Sequence, residues 1–395
     1  MSRGLRVLYV FPEPFPNDFA RGVQVAHSVC ALAHQCVAVD FYHVSCGDAD
    51  PFAHYGLKKP DNVTLVEGSR RLPGPLGLLP FHSNRFFSRG LIAWLNAKLA
   101  SADKPDLIYL RHVKVAAALV RANIPLPIIY EAHELFAQTA KPSQRQRIEM
   151  LERDVIRGAA AIVANSSATA QRLNAHYQLN RTIDVVPNGV ADVTIAARKN
   201  WDDAARSVVY AGSFYQWKGV EDLVRAANRL PGFRFTVIGG NDEQIGAMRA
   251  LLASGGAEVK FTGRMPHKDV VAKLAESCIA VLPNRVAPDS DYTCPLKLLE
   301  YMMAGCAVVA TKIPSVMDLV AEDVVMWANP NDPESLAQAI KYLADNHLAA
   351  REMSARAVER AKDFTWDGRA KRIVEVIHSV LRARQPAAAG GRLTT

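Results

Sequence analysis

Apolar and polar positions along the chain follow two periods, and the order in which those periods alternate gives an architecture before any chemistry is considered. LRVLYVF (5–11) is an unbroken apolar run of strand length, the loop PEPFPNDFARG follows, a helix is expected from about Val23 to His34, and CVAVDFYHV reads as the next strand. PDLIYLR (105–111), LPIIYEAHEL and AAIVAN are further short strands, separated by helical patterns that include RIEMLERDVIRG and a serine-capped helix beginning near Ser166 or Ser167. From Ala191 to Ser207 the apolar period disappears, and this stretch reads as a linker. SVVYAGSF, FRFTVIGG, AEVKFTG and SCIAVLPN then restart the alternation of strand and helix. Strand, helix and strand in that order imply parallel sheets covered by helices, so the fold class expected is α/β, with two doubly wound Rossmann-like domains binding ligands at the carboxyl ends of their strands.

The most informative stretch is YTCPLKLLEYMMAGCAVVAT, residues 292–311. It reads as a turn, an amphipathic helix with Leu296, Leu299 and Met303 on one stripe, a stop at Gly305, and a buried strand from Ala307 to Ala310. A helix starting near Pro295 would place the backbone N–H groups of Tyr292, Thr293 and Cys294 at a positive helix end, where a phosphate is readily held. Lys297 and Glu300, at i and i+3, share a face. A cation beside phosphates and a carboxylate that accepts from a ribose diol would suit a nucleotide, and an ordinary surface ion pair explains the same two letters.

Composition narrows the options. The 395 residues are 49% apolar, long enough for two cores, and their apolar runs are strand-sized, so no membrane-crossing helix is expected. Met1 to Gly4 lead directly into the first strand, leaving no room for a secretory leader, and the six cysteines show no metal-ligand spacing; buried thiols in a reducing cytoplasm are the expectation. Net charge is +8, and the residues through Asn188 carry 21 Lys and Arg against 15 Asp and Glu, so most of the excess lies in the first half. That balance favours an anionic lipid headgroup, a pyrophosphate-bearing acceptor or nucleic acid, but no arginine-rich tract, zinc finger or aromatic-interleaved RNA motif supports the last. FHSNRFFSRGLIAWLNAKL, with Phe86, Leu91, Trp94 and Leu95 among Arg85, Arg89 and Lys98, fits either a peripheral membrane helix or a core-facing helix with a solvated basic face.

Other candidates are individual side chains. In YEAHEL, Glu131 and His133 alternate at a strand's end and project to one side, so either could serve chemistry or simply be buried structure. Arg21 and Gly22 precede a helix whose amino end could face an anion, although Gly22 could equally serve only a tight turn. Asp289 and Asp291 form an Asp-x-Asp pair in a loop, where hydration is the simpler account than a metal; no metal or cofactor is expected.

These segments together resemble the large family of GT-B glycosyltransferases called family 4, or glycosyl transferases group 1. Glu300 matches the second of the two family glutamates, which holds the donor ribose, while Tyr292 stands at the first. GSFYQWKG matches the phosphate loop at Gly212, Lys218 and Gly219 but has Ser213 where the family has arginine, leaving Lys218, Lys297 and Arg285 as the cations for a diphosphate. GRMPHKDV resembles the loop that seats the base through backbone near Met265, YEAHEL resembles the segment whose His133 touches the donor sugar, and the loop with Gly22 lies near the donor phosphates. The resemblance implies a GT-B molecule with an acceptor-side domain (1–190), a linker (191–206), a nucleotide-sugar domain (207–362) facing the first across a cleft, a closing helix (363–384) that crosses back, and a disordered tail (385–395). It also implies retaining transfer from a nucleotide-diphosphate sugar, UDP before GDP, to a saccharide or lipid-linked acceptor. His133, Lys218 and Lys297 would be catalytic, and Pro295 and Leu296 would join the donor loop. A silent nucleotide-sugar-binding paralogue and a nucleotide-sugar epimerase are the alternatives.

Overall fold

The computed structural model describes residues 4–17, 19–47, 50–71, 83–192, 199–201, 205–287 and 295–384. Its internal contacts divide the chain into two compact units, the first comprising Met1–Asn165, Thr169–Val186 and Asp367–Thr395, the second Ser166–Ala168 and Pro187–Trp366.

Unit 1 is built on seven parallel strands: β1 Arg6–Phe15, β2 Ala38–Ser45, β3 Val63–Gly68, β4 Leu107–Leu110, β5 Ile128–Ala132, β6 Ala161–Ala164 and β7 Asp184–Val185, in the order β3-β2-β1-β4-β5-β6-β7. The four-residue strand β4 is buried throughout, as a central parallel strand covered on both faces requires. β1 continues four residues past the expected end, crossing a register break between Phe11 and Pro14. The helix Ala20–His34 begins earlier than Val23, which puts Arg21 and Gly22 inside its first turn. Gly22 is packed there so closely that a Cβ would lie 2.5 Å from the Tyr55 hydroxyl. The apolar stripe of the helix Asn84–Leu99 is committed to the core through Phe87, Leu91 and Leu95, Trp94 meets Tyr42 at 5.7 Å between centroids, and Arg85 and Arg89 stay exposed. The long helix Trp366–Arg384 buries Arg369, Ala370, Ile373 and Ile377.

Unit 2 has six parallel strands, β8 Ser207–Ala211, β9 Arg234–Ile238, β10 Glu258–Gly263, β11 Ile279–Leu282, β12 Ala307–Thr311 and β13 Met326–Ala328, in the order β10-β9-β8-β11-β12-β13. The helix Leu296–Met303 buries more of its surface than the expected stripe: Leu298, Leu299, Tyr301 and Met302 are 0% exposed, whereas Leu296 is half-buried. Each such apolar side chain contributes about 1.5–3 kcal/mol. The Tyr301 hydroxyl donates to Ala211 O at 3.0 Å and accepts from Ala211 N at 2.8 Å, which pins this helix to the end of β8. Gly305, at φ +66°, follows the last turn and donates its N–H back to Met302 O at 2.9 Å.

The structure adds to one expectation and changes another. Lys199, in the polar stretch read as a linker, docks onto unit 2, its ammonium donating to Leu274 O at 2.6 Å, to Ala275 O at 3.2 Å and to Ser277 O. It thereby satisfies carbonyls at the carboxyl end of the helix His267–Glu276. Cys30, Cys278 and Cys306 are buried thiols, but Cys36 and Cys46 are exposed. Among the described residues, no helix is long and apolar enough to cross a membrane.

Candidate functional site

At the carboxyl end of the unit 2 sheet, the loops after β8 and β11 are stitched together. Gly219 permits the approach: its φ is +67°, and a Cβ there would lie 1.9 Å from Pro283 O. Beside it Arg285 N donates to Trp217 O at 2.8 Å. Lys218 rides on this loop with its ammonium 4.0 Å from the centre of the Trp217 ring. From the neighbouring helix, Lys297 places its ammonium 2.7 Å from Glu300 Oε2, and Glu300 Oε1 faces His267 Nε2 at 3.3 Å.

The electrostatics of this cluster are unbalanced. Burial, followed by the charge of Lys297, pushes the Lys218 ammonium down to about 8. Burial alone would raise Glu300, but Lys297 and His267 hold its carboxyl down to about 2, so it stays ionised and accepts hydrogen bonds only. Two ammonium groups that repel each other and an adjacent acceptor-only carboxylate can together receive a diphosphate and a diol.

Arg285 does not join them. Its guanidinium is held by Asp222 through two contacts of 2.6 Å and by Glu221 at 3.2 Å, so its charge is already neutralised. Ser213 is exposed and offers no charge; its carbonyl accepts from the Tyr210 hydroxyl at 2.8 Å, and Gly212 N donates to Ile238 O at 3.0 Å, which fixes the loop where it leaves β8. Pro295 is buried in extended backbone just before the helix, Leu296 is its first residue, and Met265 packs on the unit 2 core between β10 and the helix His267–Glu276. Tyr292, Thr293, Cys294, Asp289 and Asp291 lie outside the described residues. Among the described residues, no group of three or more His, Cys, Asp and Glu could hold a metal ion.

Unit 1 carries a second polar cluster, at the carboxyl end of β5. Glu131 Oε1 takes contacts from His133 Nε2 at 2.8 Å, from Gln24 Nε2 at 3.2 Å and from the Arg369 guanidinium. Gln24 Oε1 in turn accepts from Arg111 Nη1, which leaves the Gln24 amide nitrogen to donate to Glu131. The Glu131 and Arg369 side chains are 1% and 2% exposed. Burial opposes the charge on Glu131, but Arg369 and His133 hold its carboxyl far below the usual range. Burial and the nearby Arg111 push His133 down to about 4 against the pull of Glu131, so at neutral pH the imidazole is uncharged. With Glu131 ionised, the ring proton belongs on Nε2, and Nδ1 is the nitrogen left with a lone pair, 3.5 Å from Asn165 Nδ2.

Of the residues singled out from the sequence, the structure brings Lys218, Lys297 and Glu300 together in unit 2, and Glu131 and His133 together in unit 1. Arg21 does not front an open helix end: it is exposed, paired with Glu13, and stacked 4.7 Å over Phe19. Sequence reasoning missed Gln24, Arg111, Arg369 and His267, whose roles depend on partners far away in the chain. It also missed Asn284, a 0% exposed side chain with neither amide atom hydrogen-bonded among the described residues, next to Pro283 in the loop that supports Lys218. Such an orphan amide calls for a ligand or water partner.

Comparison with known proteins gives this geometry a family. Glycosyltransferase Family 4 matches residues 22–193, and Glycosyl transferases group 1 matches residues 205–346. The chain belongs to the family 4 glycosyltransferases. A glycogen synthase of Mycobacterium tuberculosis is 29% identical over 224 residues, covering 50% of this chain and 51% of its own. A D-inositol 3-phosphate glycosyltransferase of Arthrobacter sp. is 23% identical over 388 residues, 91% of this chain and 90% of the other. The chain spans about half the length of the glycogen synthases it matches. Among solved structures, sucrose-phosphate synthase from Thermosynechococcus elongatus superposes with a TM-score of 0.71 at 18% identity, covering 96% of this chain and 100% of that one. Anabaena HepE in complex with UDP and glucose does so at 0.69 and 17%, covering 95% and 100%. At these identities the likeness establishes the fold, which is GT-B: two parallel-sheet α/β domains of seven and six strands.

Proposed function

We propose that this family 4 member transfers a sugar, with retention at the anomeric carbon, from a nucleotide-diphosphate donor to a saccharide or lipid-linked acceptor, UDP being favoured over GDP. The observation that carries the reading is the Lys218–Lys297 pair beside ionised Glu300 in unit 2. As the glycosidic bond to the donor breaks, the departing diphosphate gains negative charge, and the desolvated Lys218 ammonium together with Lys297 stabilises that charge more than it stabilises the bound donor. Glu300 would hold the ribose diol. His133, neutral and oriented by Glu131, would contact the donor sugar as the family resemblance implies. Support for UDP comes from the HepE relative, seen with UDP and glucose. A peripheral membrane contact would have to use the basic outer side of Asn84–Leu99, because its apolar stripe is in the core.

The test is donor hydrolysis by the purified chain with UDP-sugars and GDP-sugars, alongside calorimetry with UDP. Lys218→Ala and Lys297→Ala are each expected to lower turnover by about tenfold or more, the loss of roughly one charged hydrogen bond. Wild-type turnover in the double variant would end the proposal. A second reading, a silent binding paralogue, draws on Ser213 and on the engagement of Arg285 with Asp222, which leaves the missing arginine without a substitute. UDP binding without turnover of any nucleotide sugar would favour it.

A further inference from the structure

Unit 1 contains a pocket of about 300 Å³ separate from the Glu131 cluster, walled by Glu13, Phe19 and Arg21 from the β1 end, Arg70 from beyond β3, Asn84 at the start of its helix, and His112 from beyond β4. This is the carboxyl end of the sheet, where doubly wound folds take their ligands, and the volume is at the small end of such sites. The pocket's charges are not balanced. Glu13 is already paired with Arg21. Among the described residues no carboxylate pairs with Arg70, and its Nε is buried without a hydrogen-bond partner. His112 meets Asn84 Nδ2 through Nε2 at 3.1 Å, while its Nδ1 is buried with no partner among the described residues.

The field in the pocket is positive. His112 is pushed down to about 4 by burial and then by the charges of Lys114, Arg70 and Arg111, so it stays neutral at physiological pH. An unmatched guanidinium, an imidazole with an unused buried nitrogen and an amide lie around one small cavity whose carboxylate is already occupied. What this set lacks is an anion with several acceptor oxygens, the partner a planar guanidinium matches best.

We propose that this pocket binds the anionic group of the acceptor, a phosphate or a carboxylate carried on a saccharide, with Arg70 gripping it and Asn84 and His112 orienting it. The word acceptor rests on the transferase reading above; the anion site itself does not. The exposed Phe19 ring, 52% accessible and backed on one face by Arg21, gives the sugar an apolar surface at the rim.

The test uses the full chain with isotope-labelled histidine, following the His112 imidazole by NMR through an acid titration with inorganic phosphate, glucose 6-phosphate, glucuronate or neutral glucose. Phosphate is also expected beside Lys218, so the His112 resonance is the local readout. A bound anion should raise the His112 pKa by about one unit or more, and Arg70→Gln should weaken the anions by about tenfold at unchanged UDP affinity. Arg70→Lys, which keeps the charge but loses the fork, should fall between, and guards against a folding defect in Arg70→Gln. Preference for glucose 6-phosphate over glucuronate identifies phosphate as the anion, and the reverse identifies carboxylate. Glucose binding as well as the anions do, or anion affinity indifferent to both Arg70 variants, overturns the proposal. Anion binding at His112 in a chain that binds no nucleotide would overturn only the assignment to an acceptor, which separates the failure of this inference from that of the transferase reading.

Discussion

The polar clusters of the two units are opposites in how they treat charge. In unit 1 the charge of Glu131 is enclosed and matched: Arg369, His133 and Gln24 all meet Oε1, His133 is held neutral, and among the described residues Oε2 and Arg369 Nε are buried without a hydrogen-bond partner. In unit 2 Lys218 is desolvated and faces a second cation, and among the described residues no carboxylate pairs with it. A cluster whose charges are matched inside the protein, a closed one, holds its side chains in place before anything binds, whereas one with unmatched charge is completed by what it binds. The first kind fixes a side chain in position; the second stores repulsion that an anionic ligand relieves.

The contrast breaks most sharply at Arg369. Arg369→Met leaves a buried carboxylate without its main counter-charge, and unfolding free energy should fall by about 3–5 kcal/mol in urea titration of the full chain. The double variant with Glu131→Gln should recover most of that, because an uncharged amide no longer needs the guanidinium. A loss under about 1 kcal/mol in the single variant, the range of an exposed pair, would show that the cluster is not closed.

That prediction also marks where the sequence stopped being legible. Parallel α/β architecture was readable because strands such as LIYL and AIVA are short apolar runs bounded by turn residues. Lys297 and Glu300 were readable as neighbours because helical spacing puts them three residues apart, and Glu131 with His133 because a strand end alternates. Arg369 was not, because its partner lies 238 residues away and nothing local in TWDGRAKR distinguishes a buried arginine from the exposed ones beside it. Arg285 failed for the same reason in reverse: its proximity in sequence to the donor motif suggested a phosphate, and the carboxylate of Asp222, 63 residues earlier, takes it instead. The extra length of β1 was hidden by Pro12, Glu13 and Pro14, which locally read as loop: Pro12 and Glu13 fall in the register break, and pairing with β2 resumes at Pro14 and Phe15.

A smaller effect of opposite sign is expected in unit 2. The Lys218 ammonium, at about 8 in the fold against 10.5 when exposed, binds its proton more weakly folded than unfolded. Folding is therefore opposed by the charged form, fully below pH 8, and stability should rise as pH climbs from about 8 to 10.5. Lys218→Met removes the penalty and should stabilise the chain by roughly 1–3 kcal/mol at neutral pH, read by thermal or urea unfolding, while weakening UDP. A destabilised Lys218→Met protein would mean that the cluster is closed after all, by contacts of the ammonium that the described residues do not supply.

The smallest effect sharpens the comparison without altering stability. A diphosphate beside Lys218 favours its protonated form, so binding near pH 8–9 must take up a proton, and calorimetric enthalpies at that pH should vary with the ionisation enthalpy of the buffer. With a free value of about 8, the protonated fraction drops between pH 7.5 and 9, and UDP affinity should fall by about eightfold over that interval. The interval sits above the second ionisation of a phosphate, roughly 6, so the charge of the diphosphate itself is constant across it. In Lys218→Met the curve should be much flatter, because the ammonium that burial pushes into this window is gone and Glu300 has finished titrating near pH 2. The Glu131 cluster predicts no slope of its own in this window, since its carboxylate and His133 have both finished titrating well below neutrality. A pH-independent UDP affinity in the unaltered chain would place the diphosphate away from Lys218, whereas a slope that persists in Lys218→Met would assign it to another group.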